Sequence, residues 1–193
     1  MRELALLSIS AALINNLVLA QFFGIGPALT MSKGLKSAAG MGLAVTFMLV
    51  LASAATWAVN WTLTVLNPLF PIEQMKLVSF ILVIVAIAQL VQILLRRFLP
   101  KLSKKGYISL ITANSAILGV ALLNIELFGT PVNNFLAAML NGVLSGIGFL
   151  IVIVLLAAIR ERLELQGVPK SFEGIPIALV SAALIAMAFL GLV

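Results

Sequence analysis

Six runs of about 20 apolar residues follow one another along this chain, and nothing else constrains its fold as strongly. An α-helix needs a run of that length to cross the roughly 30 Å hydrocarbon layer at about 1.5 Å of rise per residue. The runs fall at about 4–23, 35–57, 75–95, 107–123, 134–159 and 175–193. With 63% of its 193 residues hydrophobic and 9% charged, the chain lacks the polar surface of a water-soluble domain. The expected class is therefore all-α, a polytopic membrane protein forming a single membrane domain over residues 1–193. The first run begins beside Arg2 and Glu3 and has no small-residue cleavage site ahead of a soluble chain. It reads as the first membrane helix, not as a cleaved signal peptide.

The basic residues sort the loops by side. Lys33 and Lys36 lie between runs one and two, and Arg96, Arg97, Lys101, Lys104 and Lys105 between three and four. Arg160, Arg162 and Lys170 lie between five and six, so Arg2 and Lys76 alone of the 12 basic residues fall on the other side. The positive-inside rule places the first group in the cytoplasm and both termini outside, in a bacterial or archaeal cytoplasmic (inner) membrane. The cluster "RRFLPKLSKK" is a topology anchor on this reading, and it also suits an acidic partner or anionic lipid.

Several chemistries are excluded at once. Cys and His are both absent, which removes disulfides, thiol nucleophiles, Ser-His pairs and the soft or borderline metal ligands. No phosphate loop, dinucleotide fingerprint or paired-carboxylate site is present, and nothing points to nucleic acid. The chain shows no catalytic site of its own.

Two stretches interrupt the hydrocarbon: "LINNLVLAQFFGIGPALT" over 13–30 and "SLITANSAILGVALLN" over 109–124. Each places amides, hydroxyls and helix breakers where the bilayer makes them most costly. Cut near residue 97, the two parts repeat one plan: a span with a polar break, a Gly-rich span, then a plain apolar span. Three spans per part is odd, so the second part enters from the opposite side. This makes an inverted repeat, about 1–97 and about 98–193, with broken first helices. Such breaks meet near the midplane and are tolerated where they are buried in protein or line a cavity. Asn15, Asn16, Gln21, Gly24, Gly26 and Pro27 are then expected to face Thr112, Asn114, Ser115 and Gly119. Asn15, Asn16 and Asn114 are the expected midplane lining. Small and amide residues also bind membrane helices together with no transport role.

Gly34, Gly40 and Gly42 in the second run, and Gly142, Gly146 and Gly148 in the fifth, are expected to admit close helix approach. Gln89 and Gln92 share a helix face and are expected to point into protein. Glu126 lies near the end of the fourth run, where it serves either the outer surface or an ion path. "AAIRERLELQGVPKSFEG" reads as a helix leaving the membrane and stopping at Gly167 and Pro169, with a surface suited to a cytoplasmic subunit.

Four stretches carry a resemblance over essentially the whole chain: "INNLVLAQFFGIGP", "GMGLAVTFMLVLAS", "ITANSAILGVALLNIELFG" and "VIVLLAAIRERLELQGVPKSFEGIPIALVSA". They resemble the family of membrane subunits that holds the A subunit of the Rnf electron-transport complex and the E subunit of the sodium-pumping NADH:quinone oxidoreductase. The resemblance implies six helices in two inverted halves and a heterodimer with a paralogous six-helix subunit. It implies further partners bearing flavin and iron–sulfur groups, and electron transfer coupled to Na⁺ or H⁺ movement. It also implies a [2Fe–2S] cluster shared between the two paralogues, each giving one Cys from each broken span. Here the chain departs from the pattern. The family's "GxCP" is "GIGP", which puts Gly26 at the first Cys position, and its "TNCAxLG" is "ANSAILG", which puts Ser115 at the second. Iron–sulfur clusters want thiolates. Three accounts stand open: a divergent member without the cluster, a Cys-free form of an ordinary subunit, or ligands supplied by the partner. A rival from another class is a stand-alone inverted-repeat transporter or channel.

Overall fold

The computed structural model describes residues 16–66, 76–98, 110–111, 114–128 and 135–191. Among them the chain is helical throughout: α1 (Ile25–Met31), α2 (Leu35–Leu66), α3 (Lys76–Phe98), α4 (Ser115–Phe128), α5 (Phe135–Gln166) and α6 (Ile175–Leu190). A short 3₁₀ turn, Lys170–Phe172, precedes α6. Three of these helices, α2, α3 and α5, are long and apolar enough to cross a membrane.

The all-α membrane class expected from the sequence is what forms, with longer helices than expected. The second run was expected over 35–57, whereas α2 continues to Leu66 because "VNWTLTVL" contains no breaker before Pro68. α5 passes the expected end at 159 and reaches Gln166, since "RERLELQ" is built of good helix formers and stops only at Gly167 (φ 74). Both have 32 residues, about 48 Å at 1.5 Å per residue, so each extends beyond the hydrocarbon layer. Most of the first expected span, and with it Asn15, lies outside the described residues, as does Thr112.

The residues gather into two compact units. One joins the described part of Met1–Thr46 to Leu144–Val193, and the other is Phe47–Val143. In the first unit α1 packs on α6, and α6 buries Ala178, Ser181, Ala182 and Ile185. Their i, i+3, i+4, i+7 spacing is one helix face, while Leu184, Met187 and Leu190 on the remainder stay exposed. In the same unit a Cβ on Gly146 would lie 2.8 Å from the Thr46 Cα, and one on Gly42 3.1 Å from the Leu150 Cα. Bare glycine lets these backbones touch. Gly40, by contrast, is exposed with nothing within 4 Å of an added Cβ, so it does not serve the close approach expected of it.

In the second unit α3 packs on α4 and buries a narrow stripe of Phe80, Ile84, Ala88 and Val91. Its other faces carry exposed Val78, Leu82, Leu90 and Ile93, the surface of a helix whose solvent is lipid or another protein. Gln89 is exposed and Gln92 half-buried, so the expected inward-pointing pair does not form within this chain. Gly142 abuts α2, where a Cβ would lie 3.2 Å from the Leu49 carbonyl oxygen. The Trp57 and Phe135 rings meet edge to face at 4.9 Å.

Hydroxyls inside these helices turn back on their own backbone. Thr46, Thr56, Thr62, Thr64 and Ser181 each donate to the carbonyl four residues earlier, at 2.7–2.9 Å. In an apolar medium each unsatisfied group costs several kcal/mol, about 4–8 on the harshest scale, so the nearest carbonyl is the natural acceptor.

Candidate functional site: two helix starts and a buried amide chain

The polar break in the first unit is built on Asn16. This residue is completely buried, and its Oδ1 accepts the Val18 N–H at 3.0 Å. The Leu19 N–H approaches the same oxygen at 3.4 Å, and the Ala20 N–H donates to the Asn16 carbonyl at 2.9 Å, closing a single turn. The chain then bends. Phe22 takes φ 58 and Gly24 φ 74, both in the left-handed region, after which α1 starts at Ile25. Glycine accepts that conformation freely, whereas an aromatic residue holds it at a cost of order 1–3 kcal/mol. Gly26 and Pro27 sit in the first turn of α1, where proline's missing N–H leaves no bond unmade. An apolar cavity of about 430 Å³ lies against this break, lined by Leu19, Ala20, Phe22, Ala183, Met187 and Leu190.

The break in the second unit repeats the device. Asn114 is 5% exposed, its Oδ1 accepts the Ala116 N–H at 3.0 Å, and its carbonyl accepts the Ile117 N–H at 3.1 Å. Asn114 is thus an N-cap that restarts a helix in the middle of an apolar run. Ser115 is the first residue of α4 and is exposed, while Gly119 is buried one turn on. The Asn114 Nδ2 is buried without a partner among the described residues.

Each sequence-selected position therefore has a defined place within its own unit. Asn16 and Asn114 are capping residues, and Gly26 and Ser115 lie in the first turns of α1 and α4. These last two positions are those the resemblance assigns to cluster cysteines, and the residues present do not fit that group. Gly26 offers no side chain, although nothing within 4 Å would obstruct one, and Ser115 offers a hydroxyl where a thiolate is wanted.

Sequence reasoning missed a buried amide chain in the second unit. Asn141 Nδ2 donates to Asn124 Oδ1 at 2.8 Å, and Asn124 Nδ2 donates to Ser53 Oγ at 3.1 Å. All three residues are buried. Asn60, two helical turns beyond Ser53, is buried with its Oδ1 unpartnered among the described residues. The available signal was a lone Asn inside each of two apolar runs, "ALLNIEL" and "MLNGVL". Replacing Asn141 with leucine strands the Asn124 oxygen and should cost about 1–2 kcal/mol, the range for such bonds in membrane proteins. A double-mutant cycle with Asn124→Leu, read by unfolding in detergent, should show coupling of about 1 kcal/mol. Additive losses would mean that the bond contributes nothing.

Also missed was Arg160, which is 5% exposed. Its Nη1 donates to the Leu29 carbonyl at 2.7 Å and to Ser32 Oγ at 2.8 Å, at the C-terminal end of α1. The neighbouring Glu161 accepts the Leu35 N–H at 2.8 Å, at the start of α2. A cation on a helix C-terminus and an anion on a helix N-terminus both complement the helix dipoles. One dipeptide of α5 therefore clamps both ends of the turn between α1 and α2.

Comparison with known proteins settles the family. The family model described as "Rnf-Nqr subunit, membrane protein" matches residues 4–193. This chain belongs to the Rnf-Nqr family of membrane subunits. It is 46% identical, over 97% of its length and 95% of the relative's, to the A subunit of the Na⁺-translocating ferredoxin:NAD⁺ oxidoreductase complex of Acetobacterium woodii. It is 43% identical to the A subunit of the ion-translocating oxidoreductase complex of Aromatoleum aromaticum, over 100% of this chain and 97% of that one. The Escherichia coli protein of the same description is 42% identical, over 99% and 96%. The resemblance read from the four sequence stretches is thereby confirmed as family membership.

Proposed function

We propose that this chain is the A-type membrane subunit of an Rnf-type ion-translocating ferredoxin:NAD⁺ oxidoreductase. It supports electron transfer across the membrane coupled to Na⁺ or H⁺ movement. The observation that carries the reading is full-length identity of 40–46% to relatives named as that component of the complex. The fold agrees with it, since two apolar runs are broken and restarted at Asn16 and Asn114, as a protein with internal polar sites requires.

On this reading the chain lies in the cytoplasmic membrane as one domain of two inverted three-helix repeats, with both termini outside. Its partners are a paralogous six-helix subunit, with which it pairs, and the flavin-bearing and iron–sulfur subunits of the complex. Gly26 and Ser115 provide no thiolate, so this chain does not ligate a [2Fe–2S] cluster through cysteine. Its contribution is a scaffold and a polar path lined by Asn16 and Asn114, with Asn15 beside Asn16 in sequence.

The test is purification of the chain from its native membrane in a mild detergent, followed by mass spectrometry of the proteins that accompany it. Co-purification of a paralogous six-helix subunit together with flavin-bearing subunits is the expected result. Recovery of the chain alone, or only with copies of itself, would overturn the reading in favour of a stand-alone transporter or channel.

A further inference from the structure

The charged end of α5 carries an inference that is independent of the complex. Arg160 spends its Nη1 on Leu29 and Ser32, while its Nε and Nη2 have no partner among the described residues. It borders a cavity of about 300 Å³ whose wall also includes Glu164, Glu173, Gly174 and Ile177. Gly174 is the N-cap of α6, a 16-residue helix with no side-chain cap, so its first turn presents uncapped N–H groups and the positive end of the helix dipole. Glu164 and Glu173 are exposed and likewise have no partner among the described residues. A buried guanidinium and two carboxylates therefore border one space without pairing with one another.

That arrangement selects its ligand by charge. An anion alone would gain Arg160 and the start of α6 but would face two carboxylates. A cation alone would gain the carboxylates but would face a guanidinium and a positive helix end. A neutral molecule would leave all three charges uncompensated. A ligand carrying both signs satisfies every wall, with its phosphate on Arg160 and the α6 N-terminus, and its ammonium on Glu164 and Glu173.

We propose that this cleft binds a zwitterionic phosphate–ammonium group, the chemistry of a phosphatidylethanolamine headgroup. The cleft's place in the fold suits a lipid. It opens where the apolar part of α5 gives way to "RERLE" and where α6 begins. From Ile177 the outer side of α6 continues through exposed Val180, Leu184 and Met187, an apolar wall for acyl chains. Arg160 also holds the end of α1, so the bound headgroup lies one side chain away from the turn between α1 and α2.

Native mass spectrometry of the full chain in detergent tests this, with phosphatidylethanolamine and phosphatidylglycerol supplied in equal amounts. The chain should retain one phosphatidylethanolamine with about tenfold preference, the order expected from one charge-assisted contact. The Glu164→Gln, Glu173→Gln double variant should lose the preference. Both side chains are exposed and neither is bonded to another element among the described residues, so thermal unfolding should be unchanged. Added free phosphoethanolamine separates the sources. No displacement supports the lipid, and displacement at matched concentration supports the same group in soluble form. Equal retention of the two lipids by the unsubstituted chain, or a preference that survives in the double variant, would overturn the proposal.

Discussion

Replacing Arg160 with methionine is expected to make trypsin cleave the turn between α1 and α2, at Lys33, about 100-fold faster than in the unsubstituted chain. The guanidinium makes two charge-assisted bonds there, to the Leu29 carbonyl and to Ser32 Oγ. Methionine keeps most of the volume and removes both. Bonds of this kind are worth about 1.5–3 kcal/mol each. Ser32 Oγ still donates to Leu29 at 3.1 Å, so part of the carbonyl's requirement stays met and the net loss should be about 3 kcal/mol. Local opening that is cheaper by about 2.8 kcal/mol is a 100-fold larger open population, which proteolysis reads directly when reclosing is fast. Removing a buried charge also lowers its desolvation cost. That gain is small here, because the other edge of the guanidinium borders the cleft. Arg162→Met is the control, since Arg162 is exposed and without a partner among the described residues, and cleavage at Lys33 should not change. A cleavage rate unaltered by Arg160→Met would show that the clamp does not hold the turn.

Gly146→Leu is expected to abolish the packing of α5 on the start of α2. Even the first added carbon, the Cβ of alanine, would lie 2.8 Å from the Thr46 Cα and 2.7 Å from its Oγ1. The obstacle is partly backbone, so no rotamer change relieves it. Alanine should cost about 3 kcal/mol, the upper end for overpacking, and leucine more, because its branch must occupy space that the neighbouring helix fills. Gly40→Ala is the opposite case. Its Cβ would meet nothing within 4 Å, and alanine in an exposed helix interior is favoured over glycine by roughly 0.5–1 kcal/mol. Unfolding in mixed micelles should therefore rank the variants Gly40→Ala, unsubstituted, Gly146→Ala, Gly146→Leu, from most to least stable. Equal stability of Gly146→Ala and Gly40→Ala would mean that the close approach is not maintained in the membrane.

The two glycines also mark where residue order was sufficient and where it was not. Both lie in Gly-rich runs that a reader would choose for close packing, yet one touches a neighbouring backbone and the other faces outward. Spacing within a run places glycines on helix faces, but it does not say which face meets a neighbour. Gln89 carries the same lesson: it was expected to turn inward and is exposed, because the narrow buried stripe of α3 runs through Phe80, Ile84, Ala88 and Val91.

Where the interaction is local, residue order alone was enough. The membrane class follows from the length of the apolar runs, because a backbone without water must satisfy its own hydrogen bonds. The two breaks were visible as Asn-containing interruptions, and each cap joins residues two apart: Asn16 to Val18, and Asn114 to Ala116. The absence of thiolates at Gly26 and Ser115 needs no coordinates either. Folding was needed to pair Arg160 with Leu29 across 131 positions and Asn124 with Ser53 across 71. An isolated Arg or Asn in an apolar run announces that it must have a partner, since leaving it unpaired is costly. Which partner it finds depends on which helix faces meet, and that is decided by the packing of bare glycines, a relation between segments that no single segment contains.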